Sequence, residues 1–424
     1  MLRTSTSLGQ RPRLMRAGRL GFEALEPRHV LSAANLQITE FMATNTSTLL
    51  NGDFAYDDWI EVYNADTTPV DLGDYYLSDN LADPTKWAMP SLSLPPGAYL
   101  VVFASAPLDS NGQVIQDYVD GFGDYHASFK LDSTGEGLAL TYEDPSTSVV
   151  SVVSQYAPEF PPQFPDVSYG IASDGQPRYF DAPTPGGPNG AGLQGVVEDT
   201  KFSVDRGFYD TPFQLEISSL TPGAAIYYTT DGTQPVPGAS VLYTGPLTID
   251  HTTVLRAAAF KSGYLPTNVD TQTYLFLEDV VSQTRQTALD AGYPAFWEAL
   301  NGTYEADYGF DPDVIGQFDA SGAPLGGDLF GGLYAAQLQQ SLLAAPTISI
   351  VMDPDDLFLQ DNSDVDGIYI DPRQGRNPEP ERATSVEWIT PDGAAEFQVD
   401  SGIQMQGGAF RSQFFTRKHS FRLV

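Results

Sequence analysis

The chain has 424 residues, carries 55 Asp and Glu against 21 Lys and Arg for a formal net charge of −34, and contains no cysteine. Such acidity repels a phosphate backbone and argues against nucleic-acid binding, while the lack of cysteine excludes disulfides, zinc–thiolate sites and thiol nucleophiles. The length predicts roughly two to four domains, and 32 Pro with 39 Gly among frequent Tyr, Phe, Thr and Val predict mainly β structure in sandwich-like modules.

The first residues form a basic arm ending in the small residues Ser32-Ala33-Ala34. It lacks the continuous apolar core of an ordinary signal peptide, so by composition it reads as a disordered arm. Leu25-Glu26-Pro27-Arg28, followed by Val30-Leu31-Ser32-Ala33, resembles the LEPR-XLL leader motif. That resemblance implies an export leader over residues 1–34 and a bacterial cell-surface protein. The departure is Val30-Leu31, where the motif often has Leu-Leu. No run of about 18 apolar residues follows anywhere, so no membrane span is expected. The longest apolar stretch, Ala98–Ala104, reads as a buried strand.

Residues 36–190 alternate short β-branched and aromatic runs with Gly, Pro, Asn and Asp turns, the spacing of an antiparallel sandwich. Trp59, Ile60, Val62 and Tyr63 are core candidates, and His126–Asp144 reads as a hairpin with Asp132–Gly137 at its tip. Asp57, Asp58 and Glu61 are close enough in sequence to hold a cation; the plainer reading is a solvated strand edge, because oxygen-ligand sites need several convergent groups. "ITEFMA", "DWIEVYN", "VDLGDYYLSDN", "LPPGAYLVVFAS" and "FKLDSTGEGLAL" resemble a lamin-tail domain, and "PTPGGPN" resembles the tail that often follows one. The resemblance implies an immunoglobulin-like sandwich that binds or spaces.

A linker, residues 191–199, leads to residues 200–276, again all strands and turns. "AAIYYTTDG" reads as a strand into an Asp-Gly turn, and Leu255, Ala257 and Ala259 share one strand face. Tyr227, Tyr228 and Tyr243 either stack on sugars or pack on the sandwich. "GFYDTPF", "IYYTTDGTQP", "YTGPL" and "TTVLRAAAF" resemble the chitobiase/β-hexosaminidase C-terminal domain, which implies a fibronectin-like sandwich appended to other activities. Glycosidase chemistry needs two facing carboxylates, and no such pair stands out.

Residues 277–424 change character. Asp279–Asn301 has helical spacing broken at Gly292-Tyr293-Pro294, and "PTISIVMDPDDLF" reads as a strand entering an acidic loop. "DGIYID", "ATSVEWITPDG" and "GIQMQGGAFR" read as further strands. In the Asp-rich loop 353–371, Asn362, Asp364 and Asp366 fall at the first, third and fifth positions of an EF-hand loop when Gly367 is the sixth. Arg373 then replaces the bidentate Glu, which leaves a solvated acidic loop as the plainer reading of calcium chemistry there. The four histidines, His29, His126, His251 and His419, are scattered and form no metal or hydrolase motif.

"YGFDPDVIG", "APTISIVMDPDDLF", "GIYIDP", "ERATSVEWITPDG" and the stretch from Gly402 to Val424 resemble, in order, the CotH kinase family. The resemblance implies an atypical secreted protein kinase using ATP and a divalent metal, Mg or Mn. Carried over, Gly407 and Gly408 stand at a glycine turn, Arg411 follows it, and Lys418 begins the next strand as a nucleotide-phosphate contact. Lys418-His419-Ser420 stands where many members have Lys-Lys-Ser. The family's catalytic and metal-binding aspartates are expected beyond Val424, so this chain is expected to hold no cofactor and to be inactive by itself. The expected architecture is tandem immunoglobulin/fibronectin-like sandwiches followed by an incomplete α+β kinase-like segment, with a cell-surface protein or a carbohydrate as partner.

Overall fold

A computed structural model describes residues 34–299, 302–306, 308–310, 314, 327–334, 337–359, 367–369, 381–406 and 420–424. Packing divides the chain into two compact units. Unit 1 runs to Asp166 and includes Thr184–Pro188; unit 2 comprises Val167–Pro183 and Asn189–Val424.

Unit 1 contains β1 (Leu36–Met42), β2 (Asp58–Asn64), β3 (Val70–Asp71), β4 (Tyr75–Ser78), β5 (Trp87–Ala88), β6 (Ser93–Leu94), β7 (Tyr99–Ala104), β8 (Tyr125–Ala127), β9 (Leu138–Glu143) and β10 (Val150–Tyr156). One layer has the order β1-β2-β7-β8, with β7 and β8 parallel; the other has the order β10-β9-β4-β5. Period-two alternation sends two different rows of side chains to the two faces of β2. Phe41, Ile60 and Val102 stand side by side on one face, where Phe41 meets the rings of Tyr156 at 5.0 Å and Phe160 at 4.7 Å. Met42, Trp59 and Phe103 stand side by side on the other, packed with Leu49 and Val101. Trp59, Ile60 and Val62 are all fully buried because β2 is a central strand covered on both faces.

His126–Asp144 is not a hairpin. β8 and β9 lie in different sheets, and Asp132–Gly137 belongs to the connection between them. The reason is burial: five of the six β9 residues are buried, and β9 takes a ladder partner on each side, β4 and β10.

Unit 2 begins with a hairpin of β11 (Ser168–Ile171) and β12 (Pro177–Phe180). The second sandwich follows: β13 (Thr200–Phe202), β14 (Gly207–Tyr209), β15 (Phe213–Leu215), β16 (Ile217–Ser219), β17 (Ala225–Thr229), β18 (Val241–Leu242), β19 (Leu247–Ile249), β20 (Thr253–Phe260) and β21 (Asp270–Phe276). A sheet ordered β14-β21-β20-β17-β18 contributes Leu255, Ala257, Ala259 and Tyr274 to the core, and the pairs β13-β16 and β15-β19 contribute Leu215, Ile217 and Ile249. Leu255, Ala257 and Ala259 share one buried face, as their alternation predicts.

After β21 come α1 (Leu277–Ser282), α2 (Arg285–Asp290), β22 (Phe296–Ala299), β23 (Gly302–Glu305), α3 (Leu338–Leu342), β24 (Thr347–Val351), α4 (Pro354–Phe358), β25 (Glu381–Ile389), β26 (Phe397–Gln406) and β27 (Ser420–Leu423). The helical pattern after Leu277 is split because Thr284, in extended conformation, forms a capping box with Thr287 and starts α2 afresh. The acidic segment after β24 opens as one helical turn, because the Asp353 side chain accepts from the Asp355 N–H and Pro354 occupies the first turn. Of the expected strand 366–371, Ile368 and Tyr369 form a turn, and residues 366, 370 and 371 lie outside the described residues. β24-β25-β26-β27 is an antiparallel sheet, with Ile403 opposite Leu423 and Met405 opposite Phe421.

This last sheet is stitched to the second sandwich by side chains. The Thr271 N–H on β21 donates to Gln398 Oε1 at 2.8 Å, and the Thr273 N–H to Glu387 Oε1 at 3.0 Å. The Thr273 hydroxyl also donates to Glu387, and Arg206 Nε lies 3.4 Å from the same carboxylate. Burial pushes the fully buried Glu387 carboxyl up, while Thr273 and Arg206 stabilise its charged form. Glu387→Ala removes the acceptor of the Thr273 N–H and hydroxyl, while Arg206 keeps Gln272 Oε1 and the Thr271 carbonyl. It is expected to destabilise unit 2 by about 1–3 kcal/mol, read as a lowered urea midpoint.

Candidate functional sites

Unit 1 places two glutamates on the Trp59 side of its first layer. Glu40 and Glu61 stand opposite each other across β1 and β2, both fully buried, next to a register shift at Thr39. The Thr39 hydroxyl donates to Glu61 Oε1 at 2.6 Å. The Thr184 N–H donates to both oxygens of Glu40 at 3.2 Å, and the Gly186 N–H to Glu61 Oε2 at 2.6 Å. Pro183, Pro185 and Pro188 carry no N–H, so the two glutamates take donors from between the prolines of "PTPGGPN". Burial pushes Glu61 up to about 7, and the facing Glu40 adds to that.

The suggested grouping of Asp57, Asp58 and Glu61 does not assemble. Asp57 accepts from Asn51 Nδ2 at 2.7 Å, Asp58 from the Leu131 N–H at 3.2 Å, and Glu61 from Thr39 and Gly186. The solvated-edge reading fails too, since β2 lies between β1 and β7. Three neighbouring carboxylates anchor three different segments.

Asp120 is the centre of a second cluster, which the sequence did not reveal. Its Oδ1 accepts from the N–H groups of Phe122, Gly123 and Asp124 at 2.9–3.0 Å, and its Oδ2 from the Gly52 N–H at 2.8 Å. His126 Nε2 lies 3.2 Å from Oδ2, and Ser105 Oγ lies 2.9 Å from His126 Nδ1. Burial alone would push Asp120 up, but these donors together hold it at about 2. Ser105, His126 and Asp120 line up as hydroxyl, imidazole and carboxylate. The imidazole is 1% exposed, stacked on Phe103 and edge-on to Tyr118, with both nitrogens engaged. A general base must reach the proton it moves; this ring is sealed, and it serves as a strut between β7, β8 and the loop at Asp120. Asp53 brings a third ligand-type atom within 4.8 Å, but Asp120 and His126 already direct theirs to protein groups.

In unit 2 a cleft of about 740 Å³ opens between the second sandwich and the segment after it. Tyr228, Asp231, His251, Tyr293, Asp353 and Asp355 line it. Gly232 sits at its wall with φ +87°, and a Cβ there would lie 2.5 Å from the Met352 carbonyl oxygen. Of the three tyrosines marked for sugar stacking, Tyr228 alone lines the cleft, half-buried against the core. Tyr227 meets the Phe260 ring at 5.8 Å, and the Tyr243 hydroxyl accepts from the Ile217 N–H at 3.1 Å. Tyr293, which sequence pattern marked only as part of a turn, faces the same cleft from the following segment. His251 is exposed beside Asp250.

Gly407, Gly408, Arg411 and Lys418 lie outside the described residues, as do Asn362, Asp364, Asp366, Arg373, His29 and His419. Among the described residues no helix is long and apolar enough to cross a membrane.

The geometry defines a class: a mainly β, modular chain built on β-sandwiches. Residues 30–157 match the family model of the Lamin Tail Domain, and residues 204–271 match that of the Chitobiase/beta-hexosaminidase C-terminal domain. No curated protein matches the chain. Modules of this kind are consistent with a binding or spacing role.

The carboxylates of unit 1 set an expected pH profile. Burial raises Asp58 to about 6 and Glu61 to about 7. A raised group contributes stability that is full below its unfolded value and lost as pH rises through its folded value. Asp120 and Asp166 are held at about 2, against burial, by their donors. Their contribution is present above the unfolded value and lost as pH falls towards 2. Melting temperature is therefore expected to rise from pH 8 to about 5 and to fall steeply below about 4. Glu61→Gln should flatten the upper limb, and Asp120→Asn the lower one.

Proposed function

We propose that the chain is an exported cell-surface protein whose two sandwich modules bind and space, with a carbohydrate as the ligand of the unit 2 cleft. Export rests on the leader-like stretch from Leu25 to Ala33. The observation that carries the ligand class is the pairing of Tyr228 and Tyr293 in one cleft with Asp231, Asp353 and Asp355. A sugar ring offers an apolar face to an aromatic side chain and a rim of hydroxyls to carboxylates. The test is a glycan array with the full chain, followed by titration calorimetry on any hit. Tyr293→Ala is expected to weaken binding about tenfold or more, roughly 1.4 kcal/mol. An array without hits removes carbohydrate and leaves spacing.

A second reading, that residues 277–424 are the N-terminal part of a CotH-family kinase domain, is supported by one register. Gln406 pairs with Ser420 across β26 and β27, so the segment holding Gly407, Gly408, Arg411 and Lys418 joins the ends of two neighbouring strands. Backbone at a glycine turn and a strand lysine are the groups that accommodate nucleotide phosphate. Equilibrium dialysis with ATP and Mg²⁺ or Mn²⁺ on a product carrying the complete kinase domain tests this: Lys418→Ala is expected to weaken retention, and such a full-length protein that retains no nucleotide refutes it.

A further inference from the structure

Two phenylalanines of unit 1 stand in solvent. Phe54 and Phe122 are each 74% exposed, and their rings meet edge to face at 5.9 Å. They come from different loops, Asn51–Asp57 and Asp120–Asp124, and each loop is wound around a side-chain acceptor. Asn51 Oδ1 accepts from the N–H groups of Asp53 at 3.0 Å and Ala55 at 2.9 Å. Asp120 gathers three N–H groups of its own loop. The loops are tied to each other by the Gly52 N–H on Asp120 and by the Tyr118 hydroxyl on Asp53 at 2.9 Å. The ring pair is thus fixed before any partner arrives, which lowers the entropy cost of binding.

Phe54 also holds φ +61°, the left-handed region that disfavours bulky side chains. Glycine would make this turn with less strain, so folding alone does not explain a phenylalanine here. Strain of this kind is stored at ligand contacts, and rigid aromatic anchors dominate protein interfaces.

Charge identifies the partner. Between Ala34 and Phe129 the sequence has fourteen Asp and Glu and one basic residue, Lys86, which is itself paired with Asp79. Asp53, Asp57 and Asp124 belong to the two loops themselves. An anionic surface or a second copy of this acidic face would be repelled. Two rings on loop tips also lack the concavity that holds a small molecule.

We infer that Phe54 and Phe122 anchor a docking surface for a partner polypeptide that presents an apolar side chain flanked by lysines or arginines. The acidic loops steer the basic flanks, and the ring pair takes the apolar anchor.

The test uses the full chain and a labelled synthetic peptide in which lysines and leucines alternate around one tryptophan, followed by fluorescence anisotropy. A peptide with glutamate for lysine is the control. The lysine peptide is expected to bind, more weakly at high salt, and the glutamate peptide not at all. Phe54→Gly and Phe122→Ala are each expected to weaken binding tenfold or more. Phe54→Gly is expected to keep or raise the melting temperature, which separates the docking role from folding. Unchanged affinity in both variants would mean bulk charge attraction and would overturn the inference. No binding of the lysine peptide would overturn it, as would Phe54-dependent retention on zwitterionic lipid vesicles.

Discussion

A backbone N–H that leaves its ladder needs another acceptor, and at several joints of this chain aspartate and glutamate supply it. Glu40 and Glu61 hold the proline-rich segment at Thr184–Gly187. Asp120 winds its own loop and clips Gly52, Asp166 takes the N–H groups of Thr46 and Ser47, and Glu387 takes that of Thr273 on β21. A carboxylate offers two oxygens and about four lone-pair sites, and charge-assisted bonds are the strong ones. The large acidic excess therefore has a use inside the fold as well as on its surface.

The same device decides how surfaces are presented. Loops anchored by a buried acceptor are rigid platforms, and the sandwich cores beneath them supply the stability. In unit 1 this fixes the Phe54–Phe122 pair. In unit 2 it closes the exposed part of the β21 edge: side chains from β25 and β26, Glu387 and Gln398, take N–H groups that would otherwise invite another strand. The second sandwich and the sheet after it consequently form one compact body, with the Tyr228–Tyr293 cleft between them.

Much of the fold was legible in local pattern. The alternation in β1, β2, β7, β20 and β26 announced strands, and the buried set Trp59, Ile60, Val62, Leu255, Ala257 and Ala259 was readable from it. Reading β8 and β9 as a hairpin failed because strand pairing is a non-local choice that adjacency in sequence only biases. The acidic residues were the least legible. Asp57, Asp58 and Glu61 are neighbours in sequence and serve separate segments, whereas Asp120, His126, Ser105 and Gly52 are spread along the chain and meet at one point.

The sequence by itself determined the mainly β class and the two sandwich modules in their order, because these rest on period-two patterning, turn residues and short motifs. Tertiary structure alone decided which carboxylates are buried, which loops they tie, and which aromatic side chains stay exposed. Those outcomes depend on contacts between residues far apart in the chain, such as Glu40 with Thr184 and Glu387 with Thr273. Such contacts leave no periodic trace for a sequence reader to find.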